Sequence, residues 1–200
     1  MQWLKQRLRR QMQNKRLALS PAEQTRLAQI ITQRLLCTPY FQQAQCIALY
    51  WSVRSEVMTS ILLDHLTQHK IVTLPRIKGP QLEFAQIEAG VSLVPNKYDI
   101  LEPGPQAKII PANKLDLVIV PLVAFDHQGH RLGTGGGFYD RTFKEYRTRS
   151  LLKQENPLLV GLAYDFQKMN QLPRTEFDVK LDFIITEKRI YLALPKKTVL

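Results

Sequence analysis

Apolar positions recur along this chain with two periods. Residues 3–17 carry Leu4, Leu8 and Met12 at steps of four, the stripe of an amphipathic helix. Ser20-Pro21-Ala22-Glu23 has the order of a capping box with proline at the first helical position. The helix it starts places Leu27, Ile30, Ile31 and Leu35 on one side and ends before Pro39. The pattern then changes to short continuous apolar runs: Cys46 to Tyr50, Ile71 to Leu74 closed by Pro75, Leu117 to Leu122, Leu158 to Ala163, and Phe183 to Thr186. Runs of this kind predict strands buried on both faces, as in a parallel sheet. Thr59 is a candidate N-cap for a helix containing Ile61, Leu62, Leu63 and Leu66, so 46–74 reads as a βαβ unit. Leu82 to Ile87 reads as a further strand, Phe138 to Arg149 as a helix, and Ile190 to Leu194 as an edge strand. Residues 76–116 are otherwise broken by Pro95, Pro103, Pro105 and Pro111, and local chemistry gives Glu102-Pro103-Gly104 no role. The expected fold is α/β: a single three-layer domain over 1–200, with a mainly parallel sheet and helices on both faces.

Composition narrows the function classes. No apolar run approaches the roughly 18 residues of a membrane span, and Met1 to Arg10 lacks the apolar core of a secretory signal. Cys37 and Cys46 are too few for a disulfide framework or a cysteine zinc site; Cys46 is expected to be a buried thiol in a reducing, cytoplasmic compartment. The net charge of +11 is uneven: residues 1–34 hold eight Lys/Arg against the single acid Glu23. Arg141, Lys144, Arg147, Arg149 and Lys153 form a second basic cluster. Such surfaces attract polyanions, and the competing reading is a nucleic-acid-binding protein using the basic first helix. For most of these cations the plainer reading is a solvated basic face, and RNA-binding aromatic signatures and clear DNA-reading motifs are lacking; the expectation is small-molecule substrates, no nucleic acid, no membrane and a monomer.

The residues with the most chemistry are Arg131-Leu132-Gly133-Thr134-Gly135-Gly136-Gly137-Phe138-Tyr139-Asp140-Arg141. Four glycines in five positions let backbone turn and a ligand come close. A loop like this, opening a helix, offers N–H groups to a phosphate, with Arg131 and Arg141 on either side. Its spacing fits neither the P-loop nor the dinucleotide fingerprint, so an ordinary strand-to-helix turn competes with the phosphate reading. Asp140 is placed to hold a divalent cation; Asp178, Asp182 and Asp165 compete for a second carboxylate ligand. Lys5 and Arg9, four apart on the first helix, can grip one anion together. Glu56 lies in the loop after the first strand, where open α/β sheets bind ligands. The histidines show no metal spacing: His65 and His69 read as a surface pair, and His127 and His130, flanking Gly129, as turn and surface residues.

The ordered set of motifs resembles the 5-formyltetrahydrofolate cyclo-ligase family, also called methenyltetrahydrofolate synthetase, over nearly the whole chain. The residues carrying the resemblance are Lys5-x-x-x-Arg9, Tyr50 to Thr59, Leu74-Pro75-Arg76, Glu102-Pro103, Val120-Pro121 through Ala124-Phe125-Asp126, Arg131 to Arg141, Gly161-Leu162-Ala163, and Asp178 with Ile185-Thr186. The resemblance implies ATP- and Mg²⁺-dependent closure of 5-formyltetrahydrofolate to 5,10-methenyltetrahydrofolate, through a phosphorylated formyl group. It implies ATP contacts at Lys5, Arg9 and 131–139, that is Arg131, Leu132, Gly133, Thr134, Gly135, Gly136, Gly137, Phe138 and Tyr139. It implies folate contacts at Trp51, Glu56, Thr134, Gly135, Gly136, Gly137 and Phe138, Mg²⁺ ligation by Asp140 and Asp178, and catalytic roles for Glu56, Arg131 and Tyr139. Phe138 and Phe177 stand where the family usually has Tyr and His, which keeps a relative acting on another substrate in view.

Overall fold

The computed structural model describes residues 1–66, 70–88, 90–145 and 157–193, with backbone alone at 64 and 65. The helices are α1 Gln2–Leu17, α2 Pro21–Leu36, α3 Pro39–Gln43, α4 Ser60–Leu66 and α5 Phe138–Thr142. The strands are β1 Cys46–Ala48, β2 Ile71–Lys78, β3 Gln81–Gln86, β4 Leu93–Pro95, β5 Leu101–Pro103, β6 Ile109–Ile110, β7 Leu117–Val120, β8 Ala124–Asp126, β9 Arg131–Leu132, β10 Leu158–Leu162, β11 Lys168–Met169, β12 Phe183–Ile185 and β13 Ile190–Leu192.

The apolar runs become the centre of one sheet, ordered β13-β12-β10-β7-β1-β2-β3-β6. From β12 to β2 every pairing is parallel, and the antiparallel strands lie at the edges. Alternate residues feed two layers. Ile47, Leu117, Ile119, Val160 and Leu162 pack with Leu27, Ile31 and Leu35 of α2 and Leu62 and Leu66 of α4. Ala48, Val118, Val120, Leu159 and Ile184 face the other way, toward Phe84, Phe125 and Phe143. This is the expected α/β layering. The strand order reverses between β1 and β7, so the carboxyl ends of these two strands form the crevice where such sheets bind ligands.

Several expectations change. β2 runs through Pro75 to Lys78 instead of ending there. Its parallel pairing with β1 stops at Thr73, so the missing N–H of Pro75 breaks no ladder bond to β1. The Leu117–Leu122 run does not feed the glycine loop directly. A hairpin of β8 and β9 intervenes and, with β11, forms a second sheet. Leu8 and Met12 of α1 pack there against Val123, Ala124, Leu132 and Leu172, whereas Leu4 is exposed. Thr59 does not cap α4 through its side chain; its hydroxyl donates to Tyr50 O, tying the loop to the end of β1. Helix α5 ends at Thr142, and Arg147, Arg149, Lys153, His69 and Leu194 lie outside the described residues, as does the side chain of His65. Among the described residues no helix is long and apolar enough to cross a membrane.

Candidate functional site

The glycine loop leaves β9 beneath α1. Gly135 (φ 116°) and Gly137 (φ 66°) adopt backbone that a side chain would strain. Arg9 Nε donates to Gly133 O (2.8 Å), and a Cβ on Gly135 would come 3.5 Å from the Arg9 guanidinium carbon. The first helix therefore lies over the loop; of the two cations expected to grip one anion together, Lys5 meets Asp178 and Arg9 meets the loop carbonyl. Arg141 is less available than the sequence implies. It donates from Nη2 to Gly136 O (2.6 Å) and from Nε to Pro80 O, and its guanidinium sits 5.3 Å from the Phe138 ring centroid. Phe138 also meets Tyr98 edge-on. Because α5 has only about a turn and a half, it contributes little dipole to the loop.

The two aspartates are tied to each other's surroundings. Asp140 Oδ1 forms an ion pair with Arg131 Nη2 (3.0 Å) and accepts from Val179 N (3.0 Å). Arg131, nearly buried, also donates to Val179 O (2.6 Å), and its Nε has no partner. Asp178 Oδ2 accepts from Lys5 Nζ (3.1 Å) and Thr175 N (2.7 Å). Burial pushes the Asp178 carboxyl up, but the Thr175 N–H and the Lys5 ammonium outweigh it and hold the group below the usual carboxylate range. All of these contacts use one oxygen of each aspartate. The other oxygen of each is in none of these contacts, and carboxylate oxygens are the hard donors Mg²⁺ takes. The competing carboxylates have structural work. Asp182 accepts from Leu159 N (2.7 Å), and Asp165 from Tyr191 and Thr186. Glu102 accepts from Ile77 N and Asn96 Nδ2, and Gly104 O accepts from Arg76 Nη1, so Glu102-Pro103-Gly104 clasps the β2 edge.

Glu56 closes the other side. Arg54 and Ser55 both have left-handed backbone (φ 51° and 57°), a turn that drives Glu56 inward to 5% exposure. Its Oε2 accepts from Val53 N (3.2 Å), and its Oε1 lies 3.8 Å from Arg16 Nη1. Burial raises its pKa, against the opposing pull of the Val53 N–H, Arg16 and Arg54. The Tyr139 hydroxyl, just after the loop, is buried and feels the charge of this carboxylate without a hydrogen bond to it. Burial and then the Glu56 charge push the Tyr139 hydroxyl up, while Arg131 acts the other way. Trp51, half-buried, lines a cavity of about 90 Å³ with Tyr50, Ser52, Thr59, Leu63 and Leu74 at the end of β1.

Lys5, Arg9, Arg131, Asp140 and Asp178 thus meet around the loop, through Lys5–Asp178, Arg9–Gly133 O and the Asp140 and Arg131 contacts with Val179, and Glu56 is reached from the same helix through Arg16. Two residues differ from their sequence reading. Arg16 is buried against Glu56, though it stood among eight surface-like cations. His130, expected at the surface, is buried, with Nδ1 against both Asp126 oxygens (3.1 and 3.0 Å) and Nε2 2.7 Å from Arg174 Nη1. Asp126 also accepts from Leu172 N, so this pair joins the hairpin before Arg131 to the segment leading to Asp178.

A model of the 5-formyltetrahydrofolate cyclo-ligase family matches residues 2–187. The 5-formyltetrahydrofolate cyclo-ligase of Haemophilus influenzae is 36% identical over 182 residues, 88% of this chain and 94% of that one. That of Escherichia coli K12 is 34% identical over 185 residues, 88% of this chain and 97% of that one. Among solved structures, the 5,10-methenyltetrahydrofolate synthetase of Aquifex aeolicus superposes with a TM-score of 0.82 at 31% identity, covering 98% of this chain and 96% of that one.

Proposed function

The chain belongs to the 5-formyltetrahydrofolate cyclo-ligase family and is an enzyme of the ligase class, and on that premise we propose that it uses ATP and Mg²⁺ to close 5-formyltetrahydrofolate to 5,10-methenyltetrahydrofolate. The formyl oxygen attacks the γ-phosphorus of ATP and ADP leaves. The resulting N5 iminium phosphate is attacked at carbon by N10; phosphate leaves with the formyl oxygen, and N10 loses its proton. The overall products are the methenyl cation, ADP and phosphate.

Phosphoryl transfer of this kind depends mainly on positioning and charge neutralisation. Lys5, Arg9, Arg131 and the N–H groups of the loop bind and orient the triphosphate. Bound at Asp140 and Asp178, Mg²⁺ supplies further neutralisation of the phosphate oxygens. Glu56, with Trp51 and the Thr134–Phe138 side of the loop, receives the folate, and its negative charge faces the developing iminium. Tyr139 and Phe138 exclude water between the two substrates. The observation that supports this reading is the row of cations along the first helix, with Lys5 at Asp178, Arg9 at the glycine loop and Arg16 at the buried Glu56 carboxylate.

The test is the near-ultraviolet absorbance of the methenyl product. Absorbance is expected to rise only when ATP, Mg²⁺ and 5-formyltetrahydrofolate are all present. Asp140→Asn should raise the Mg²⁺ needed for half-maximal rate, and Glu56→Gln should impair folate use more than ATP use. No product with all three components present, or full activity in both variants, overturns the assignment.

A further inference from the structure

Helix α1 carries three inward cations. Lys5, Arg9 and Arg16 are separated by four and seven residues, so at 100° per residue they fall within about 40° of one another. Lys5 meets Asp178 and Arg9 meets the glycine loop; the partner of Arg16 is Glu56. The side chains of Arg16 and Glu56 are 2% and 5% exposed, so neither charge is screened by water.

The pair is not a closed one. At 3.8 Å the contact is electrostatic and not a hydrogen bond, and Arg16 Nε has no partner among the described residues. The hydroxyls of Tyr139 and Tyr164 are likewise buried without hydrogen-bond partners among the described residues. A pair serving stability alone would be expected to saturate these donors, because each unpaired buried polar atom is costly. We propose that Arg16 is a positioning residue for catalysis, holding the Glu56 carboxylate in place toward Tyr139 and the folate side of the glycine loop. This rests on the assignment of Glu56 to the folate.

Every charged or titratable group around Glu56 enters the outcome. Arg54 lies on its own loop, Tyr50 at the end of β1, Tyr139 at the start of α5 with Arg131 behind it, and Tyr164 beyond β10 beside Arg16. Arg54 is exposed, and the tyrosine hydroxyls are all shifted upward and stay neutral at ordinary pH. Arg16 is therefore the buried cation that favours the ionised carboxylate. An opposite charge at this range lowers a carboxyl pKa by about 1–3 units.

The experiment is the pH profile of kcat/KM for 5-formyltetrahydrofolate, at saturating ATP and Mg²⁺, in wild type, Arg16→Gln and Arg16→Lys. In Arg16→Gln the acidic limb should move to higher pH, and Arg16→Lys should return most of that shift. In a Glu56→Gln background, Arg16→Gln should have less than a twofold further effect, and this double variant leaves no lone buried charge to prevent folding. A lowered melting temperature with an unmoved limb, or an equal loss from Arg16→Gln with and without Glu56, overturns the proposal. If Glu56→Gln alone retains full activity, it is the assignment of Glu56 that fails, and the two failures are distinguishable.

Discussion

Gly161 gives the sharpest test of how the site segments are held. It lies in β10, between Val120 of β7 and Ile184 of β12. A Cβ there would stand 2.5 Å from Leu122 Cδ2, 2.7 Å from Leu181 Cδ1 and 3.3 Å from Ile184 Cγ1. Carbon atoms pack at about 3.5–4.0 Å, so two buried leucines would each have to retreat by roughly 1 Å. Leu181 cannot do so freely: its N–H donates to Gly129 O (2.8 Å), and the next residue is bonded to Leu159 through both its backbone and its carboxylate. Overpacking of this kind costs about 1–3 kcal/mol, and the lower unfolded-chain entropy of alanine offsets roughly 0.4–1 kcal/mol. The net for Gly161→Ala is about 1–2 kcal/mol, which in a chain of this size lowers Tm by roughly 3–6 °C. Calorimetry on the two purified proteins measures it. Leu181 also lies three residues after Asp178, so the variant should need more Mg²⁺ for half-maximal rate. A Tm equal to or above that of wild type would refute the packing argument, since it would mean that the leucines move aside without cost.

The remaining predictions concern the loop and the hairpin beneath it. Gly135→Ala meets open contact distances at Arg9 but must hold φ near 116°, a strain of about 1–3 kcal/mol. The loop should adopt other conformations, raising KM for ATP several-fold while Tm stays within a few degrees; an unchanged KM in steady-state kinetics would separate this loop from ATP binding. Burial, with Lys180 and Arg174, lowers the pKa of His130 below the ordinary 6.5 despite the opposing pull of Asp126. The unfolded chain then binds the proton more readily than the folded one. Stability from this group is complete above about pH 6.5 and is lost as pH falls from 6.5 toward the folded value. The Tm of wild type should drop more between pH 7 and 5.5 than that of His130→Gln, and parallel curves would exclude the buried neutral imidazole.

What was legible in the sequence depended on how local its cause is. The parallel strands were visible because burial on both faces leaves an uninterrupted apolar run, as in Leu117–Val120. The glycine loop and Asp140 were visible because backbone geometry and charge are written in adjacent residues. The β8–β9 hairpin was not, since its strands are three and two residues long and enclose His127 and His130, which flank Gly129 and read as turn. Burial of His130 depends on Arg174, 44 residues away, and no local pattern encodes that partner. Arg16 did have a signal. Leu8, Met12 and Arg16 continue one stripe at steps of four, and these three are the buried residues of α1. A charged residue continuing an apolar stripe implies a buried partner, here Glu56.

That stripe also explains why α1 matters out of proportion to its packing. A helix of 16 residues is marginal on its own, and this one buries only two apolar side chains. Its position is therefore set largely by Lys5, Arg9 and Arg16, and each cation engages a different segment of the chain: the Asp178 segment, the glycine loop and the Glu56 loop. The first two segments are already bonded to each other, through Val179 N to Asp140 and Arg131 to Val179 O, and the Glu56 loop follows a different strand. A rigid rod spanning Lys5 to Arg16, about 16 Å at 1.5 Å per residue, links that loop to the other two. The two substrate sides of the glycine loop are then registered through the helix. Substitutions at opposite ends of α1, such as Lys5→Met and Arg16→Gln, should consequently combine non-additively in catalysis although the residues do not touch.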